Sequence, residues 1–203
     1  MSKTTRERIK AKKRRERTRN ILIGGVIVVA TVVGIRWLST QSSARESGET
    51  VPIPQVQAVD EMAEVSHVAE GTDPGPYNSD PPTSGRHYAT QAFAGFNDVD
   101  DLASFGEFPA GYLVHSLEHG YVIFWYNCEV LTEPECEDLK DDIERVMGRV
   151  ADFKVIAFPW TSIEEPIVMT SWGRMLRFDE FDPEIAEQYV RNFRNQAPEP
   201  NAP

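Results

Sequence analysis

The chain has 203 residues, with 21 Lys and Arg, 32 Asp and Glu, and a formal net charge of −11 at pH 7. Residues 1–20 hold ten of the basic side chains and only two acidic ones, so the remainder carries 11 basic and 30 acidic side chains. Because charge is distributed so unevenly, the chain does not have one surface of uniform charge, and the two parts are expected to face different environments.

An apolar, uncharged run follows the basic segment at residues 21–35. Arg36 interrupts it, but an arginine at a helix end can snorkel to the lipid headgroups, so the run extends to Leu38. These 18 residues are just enough to cross a hydrocarbon core of about 30 Å at about 1.5 Å per residue. We therefore predict a transmembrane helix at 21–38 in a single-pass protein of the cytoplasmic membrane. The basic tail 1–20 is then cytoplasmic, and the rest lies outside.

The alternative is a cleaved signal peptide, with Ser42-Ser43-Ala44 as a small-residue cleavage site. The basic segment is long for a signal peptide and the apolar run exceeds a typical one, so the anchor is preferred. A basic tail alone can indicate nucleic-acid binding. Beside an apolar span, membrane topology and anionic lipid explain it more simply, so we expect a membrane partner and no nucleic acid.

Residues 39–60 show no periodicity and are interpreted as a linker. The proline-rich residues 197–203 are interpreted as a disordered tail. Residues 61–196 then form one extracytoplasmic domain, a length that suits a single core.

The elements of this domain predict an α+β fold, with two helices against a mixed or antiparallel sheet. The half of the domain before Pro109 is rich in Gly, Pro, Asp and Ser, so we expect it to be long and irregular. The one transmembrane helix precedes the domain. Apolar runs predict a strand buried on both faces at 120–126, a strand at 154–158, and a strand region bent near Gly173 at 167–178. Helical spacing of apolar residues predicts one helix at 134–150 and another that begins at Asp182-Pro183.

Cys128 and Cys136 are the only cysteines. In an oxidising compartment an even, closely spaced pair predicts a disulfide. Two thiolate metal ligands are the alternative, since Cys and His mix at zinc and copper sites.

All four histidines lie within residues 67–119, and two of them belong to the pentapeptide His-Ser-Leu-Glu-His at 115–119. On a helix, His115, Glu118 and His119 would share one face, and their order matches the inverted zinc-peptidase signature. Proline and glycine flank the motif closely, and no amphipathic helix can be drawn around it. We therefore predict that it lies either on a strand, with His115, Leu117 and His119 on one side, or on a loop or turn that leads into the strand at Gly120.

Histidine is the side chain best suited to bind a transition metal or move a proton near neutral pH. The clustering predicts a metal site made by His87, His115 and His119, completed by His67 or Glu118, with copper preferred to zinc. The other interpretation is that these imidazoles satisfy buried backbone groups. A serine hydrolase using Ser84 or Ser116 is disfavoured, because the Gly-x-Ser-x-Gly elbow is missing.

Two segments resemble the family catalogued as domain of unknown function 3105. They are Pro-Pro-Thr-Ser-Gly-Arg-His at 81–87 and Tyr-Leu-Val-His-Ser-Leu-Glu-His-Gly at 112–120, in the family's order. The resemblance covers roughly Val65 to Phe178, and it implies that both segments are the family's signature. It implies no activity, so the roles of the histidines rest on their chemistry.

The leading hypothesis is a membrane-anchored domain that binds copper or zinc for metal delivery, storage or sensing. One alternative is a metal-dependent hydrolase with Glu118 as general base, which needs an open coordination position and a substrate cleft. The other is a non-catalytic module that binds a protein partner of unknown identity.

Overall fold

A computed structural model of the chain describes Ile53 and residues 55–202. The predicted cytoplasmic tail and transmembrane helix lie outside these residues, as does the alternative cleavage site. Within the described residues, no helix is both long enough and apolar enough to cross a membrane.

A six-stranded mixed sheet forms the centre of the fold, in the order β1-β8-β7-β5-β6-β4. The pairs β1–β8, β8–β7 and β7–β5 are antiparallel, and β5–β6 and β6–β4 are parallel. The strands are β1 (Gln57–Ala58), β4 (Gly95–Phe96), β5 (Val122–Tyr126), β6 (Val155–Pro159), β7 (Ile167–Ser171) and β8 (Arg174–Phe178). The predicted mixed sheet and α+β class are confirmed.

The central strand β5 is buried on both faces because its side chains alternate between two cores. Val122, Phe124 and Tyr126 pack in the core that contains helices α2 (Glu133–Arg149) and α3 (Pro183–Phe193). Ile123 and Trp125 pack in the opposite core, under helix α1 (Ala110–Glu118). The sheet therefore separates α1 from the two longer helices.

The two predicted helices begin where their sequences predict a cap. Thr132 and Glu135 form a capping box at the start of α2. The side chain of Asp182 accepts hydrogen bonds from two backbone amides of the first turn of α3, where proline holds an early helical position. Both helices bury an apolar stripe against the sheet, as their periodicity predicts.

The prediction of a strand or a turn at residues 115–119 was wrong. Residues 115–118 form the second half of the additional helix α1, and His119 is its C-cap. Leu113, Val114 and Leu117 are fully buried and press this nine-residue helix onto the sheet. The helix lacks a side-chain N-cap and contains a glycine and a valine, so its local propensity is poor. Tertiary burial stabilises it instead.

Gly120 ends α1 in a Schellman motif. Its amide donates to the carbonyl oxygen of Leu117 at 2.9 Å, and the amide of Tyr121 donates to the carbonyl oxygen of Ser116 at 3.0 Å. Gly120 has a φ of +87°, which favours glycine, and a Cβ atom there would lie 2.7 Å from Cα of Asn195. A tight turn at Gly120 thus connects α1 to β5.

Two further expectations change in detail, and a third is confirmed. Gln57–Ala58 lie in the predicted linker but form the edge strand β1 against β8. The region 167–178 is not one bent strand but the hairpin of β7 and β8, with Gly173 at φ +65° in its turn. The predicted disulfide joins Cys128 and Cys136, whose Cα atoms are 5.2 Å apart.

The N-terminal half is as irregular as predicted. Two two-residue strands, β2 (His67–Val68) and β3 (His87–Tyr88), form a separate parallel pair, and a 3-10 helix spans Val99–Phe105. The Tyr88 ring packs directly against Gly111 of α1. The contact is so close that a Cβ atom added to this glycine would lie 2.6 Å from Cδ2 of the ring. Tyr88 is 1% exposed and donates a hydrogen bond to the carbonyl oxygen of Thr72, so the ring cannot move aside freely.

We therefore expect Gly111→Ala to lower the free energy of unfolding by about 1–3 kcal/mol, the usual cost of overpacking, although alanine is the better helix former. Thermal or urea unfolding would measure the change. Gly148→Ala is the matched control, because Gly148 is an exposed residue of α2 with open space at its Cβ position. That variant should gain up to about 1 kcal/mol. Equal effects of the two substitutions would contradict the close packing of Tyr88 on α1.

Candidate metal centre

The structure brings the four histidines together from three separate segments. His67 lies in β2 and His87 in β3, where their Cα atoms are register partners. His115 lies in α1, and His119 follows the last residue of that helix. The ring centroids of His67, His87 and His115 are 4.9–5.1 Å apart pairwise, and those of His115 and His119 are 4.4 Å apart.

Three of these rings are held by the nitrogen that faces away from the cluster. Nδ1 of His87 lies 2.8 Å from the carbonyl oxygen of Gly85, and Nδ1 of His115 lies 2.7 Å from that of Tyr88. Nδ1 of His119 lies 2.8 Å from Oε1 of Gln91. Backbone carbonyl oxygens only accept hydrogen bonds, so Nδ1 of His87 and Nδ1 of His115 each carry a proton. In the neutral rings of these two residues, Nε2 therefore keeps its lone pair.

These lone pairs point into the cluster. Nε2 of His115 and Nε2 of His119 are 2.9 Å apart. Nε2 of His87 is buried and 3.0 Å from Oε2 of Glu118, but the two atoms are not aligned for a hydrogen bond, so this nitrogen has no hydrogen-bond partner. A buried polar atom without a partner is costly. A cation bound to Nε2 of His87 would remove this cost.

One set of four residues offers such a cation a complete set of ligands. One ligand atom from each of His67, His87, His115 and Glu118 lies within 4.8 Å of the other three. Three neutral imidazoles and a carboxylate suit Zn²⁺ or Cu²⁺. His67 is exposed, whereas His87 and His115 are 1% and 6% exposed and the Glu118 side chain is 12% exposed. The set therefore opens to solvent on the side of His67.

Burial keeps the central imidazole uncharged. Desolvation, together with the neighbouring His119, His87 and His67, lowers the pKa of His115 to about 4, although its hydrogen bond to the Tyr88 carbonyl acts in the opposite direction. His115 is therefore neutral at physiological pH. This is the form in which imidazole binds metals.

Glu118 also belongs to a second set, with His119 and Glu199, whose ligand atoms lie within 4.8 Å of one another. Oε2 of Glu199 is 3.5 Å from Nε2 of His119. The sequence predicts that His119 shares a site with His87 and His115. Glu199 is not among the predicted ligands, because it lies in the proline-rich segment interpreted as a disordered tail. Gln91 was missed too, since a lone glutamine in a loop carries no sequence signal.

Residues 197–202 make contacts that a disordered tail would not make. The amide of Glu199 donates to the carbonyl oxygen of Glu118 at 3.0 Å. Nζ of Lys154, a residue only 5% exposed, donates to the carbonyl oxygens of His119, Pro200 and Ala202 at 2.9, 3.0 and 2.9 Å. Burial lowers the pKa of Lys154. This one ammonium group therefore ties the end of α1 to the tail.

The two serines considered as nucleophiles have structural roles and are fully buried. Ser84 Oγ accepts a hydrogen bond from the amide of Met62, and Ser116 Oγ donates to the carbonyl oxygen of Ala92. Two surface cavities of about 500 and 380 Å³ are lined by no histidine and by neither Glu118 nor Glu199. Neither cavity offers a substrate cleft beside the cluster.

The chain matches the model of one protein family, described as Protein of unknown function (DUF3105), over residues 67–203. The match begins at the first histidine of the cluster and includes Glu199. No curated protein and no solved structure matches the chain.

We expect Lys154→Met to release the tail, because it leaves three backbone carbonyls without their buried donor. Cleavage by a carboxypeptidase should then pass residue 199 much faster than in the unchanged protein, as mass spectrometry would show. Lys140→Met is the control, since Lys140 lies on α2 and forms its ion pairs with Asp98 and Glu137 rather than with the tail. A tail that resists digestion equally in both variants would contradict the anchoring role of Lys154.

Proposed function

The chain belongs to the DUF3105 family of proteins of unknown function, and we propose that it binds a divalent transition metal ion through His67, His87, His115 and Glu118. One observation carries the proposal. Buried imidazoles that donate from Nδ1 to carbonyl oxygens present unprotonated Nε2 atoms to a common space. Outer hydrogen bonds of this kind fix the tautomer and orientation of metal-binding histidines.

The donor atoms favour copper or zinc. The set consists of imidazole nitrogens and a carboxylate oxygen, which suits borderline divalent ions better than Mg²⁺ or Ca²⁺. For nitrogen and oxygen donors, affinity rises through the first-row metals to Cu²⁺ and falls again at Zn²⁺. We therefore propose Cu²⁺ as the preferred ion, with Zn²⁺ as the competitor. The two cysteines form a disulfide and supply no thiolate.

The proposed biological role is metal delivery, storage or sensing at the outer face of the cytoplasmic membrane. The predicted anchor at 21–38 supports this location. The exposed position of His67 supports exchange, because an ion can reach the buried ligands through the solvent-facing one.

Hydrolysis is a weaker proposal. Helix α1 does supply the helical spacing that the peptidase signature needs. However, Glu118 Oε2 lies 3.0 Å from Nε2 of His87, which supports a role for this carboxylate as a ligand rather than as a general base beside a metal-bound water. The clustering of the four imidazoles favours the metal-binding proposal over the interaction-module hypothesis.

Metal analysis of the purified full-length chain tests the proposal. The protein is stripped with a chelator, offered Cu²⁺ or Zn²⁺, desalted and assayed by mass spectrometry. We expect at least one ion to be retained, and the unfolding temperature to rise with metal concentration. His87→Ala and His115→Ala should each weaken binding by more than about 100-fold, because even outer-sphere changes cost about 10–100-fold.

Glu118→Gln should also weaken binding, whereas Glu144→Gln, an exposed carboxylate of α2, should not. Unfolding of each metal-free variant shows whether the fold persists. If the unchanged chain retains neither ion, the proposal is wrong. It is also wrong if folded His87→Ala and His115→Ala proteins bind metal as tightly as the unchanged chain.

A further inference from the structure

We infer that the centre holds two metal ions, with Glu118 as the carboxylate shared between them and His119 and Glu199 completing the second position. This inference rests on the proposed function, because the first position is the one described there. The second ligand set includes a residue of the C-terminal tail.

The two ligand sets share Glu118 and differ in their histidines. The rings of His67, His87 and His115 form a triangle with sides of 4.9–5.1 Å. The His119 ring lies 4.4 Å from that of His115 and is nearly perpendicular to it, at 85°. His119 is absent from the first set and present in the second.

The distances suit two adjacent ions. Paired metal ions in proteins lie about 3.5–4 Å apart. His115 belongs to the first set and His119 to the second, and their Nε2 atoms are 2.9 Å apart, so the two positions are adjacent. Glu118 contributes to both sets and has two oxygens, which is what a bridging ligand needs.

Charge supports the second position as well. Glu118 and Glu199 bring two carboxylates within 4.8 Å of each other and of the His119 imidazole. Like charges at this distance repel, and the repulsion is stronger where water is partly excluded. A second divalent cation converts this repulsion into attraction.

Two contacts of the tail backbone place Glu199 at this position. Its amide donates to the carbonyl oxygen of Glu118, and the next residue is held by Lys154. The Glu199 side chain is 60% exposed, whereas that of His119 is 10% exposed. The second ion therefore lies at the rim of the centre, and we expect it to exchange faster than the first.

Copper titration of the stripped full-length chain tests the inference. We expect two Cu²⁺ per chain, the second bound more weakly, and a magnetically coupled pair in the electron paramagnetic resonance spectrum. Glu199→Gln should bind one Cu²⁺ and lose the coupling, because it removes a charged ligand of the second position only. A chain ending at Ala197 should behave in the same way. Glu144→Gln is the matched control and should bind two coupled ions.

The outcomes separate this inference from the proposed function. One Cu²⁺ in both the unchanged chain and Glu199→Gln would overturn the second position and leave the first intact. Two ions in Glu199→Gln would also overturn it, since the second ion would not need Glu199. No Cu²⁺ and no Zn²⁺ in the unchanged chain would overturn both proposals.

Discussion

The contact between Tyr88 and helix α1 is the constraint on which the centre depends. The ring of Tyr88 packs on Gly111, and the backbone carbonyl oxygen of Tyr88 accepts the hydrogen bond from Nδ1 of His115. The preceding residue, His87, is paired in register with His67. One tyrosine thus sets the distance between the helix and the short strands that carry the other imidazoles. A helix with a larger residue at position 111 could not approach so closely.

The sheet and the two long helices could be predicted because their signals are local. Residues 122–126 are continuously apolar, and α2 and α3 have polar caps and periodic apolar faces. Helix α1 has neither a polar cap nor a strong local preference, and what stabilises it is burial against strands distant in sequence. The prediction of a strand or a turn at residues 115–119 was therefore wrong.

The centre could be predicted in part for a similar reason. Four histidines confined to one stretch of a chain are a compositional signal, and the structure does bring their rings together. How they divide into two ligand sets depends on the direction of each ring, which is fixed by carbonyl oxygens that sequence does not reveal. Glu199 could not be predicted as a site residue, because Lys154 holds its segment through backbone atoms, which leave no signal in the sequence.

That mode of attachment affects how the tail can evolve. Lys154 contacts only main-chain oxygens of Pro200 and Ala202, and those oxygens are present whatever the side chains are. Substitutions at these two positions are therefore compatible with docking, and only the carboxylate at 199 carries side-chain chemistry. Variants that differ at these two positions can thus keep the tail beside the histidines, because the attachment depends on the backbone.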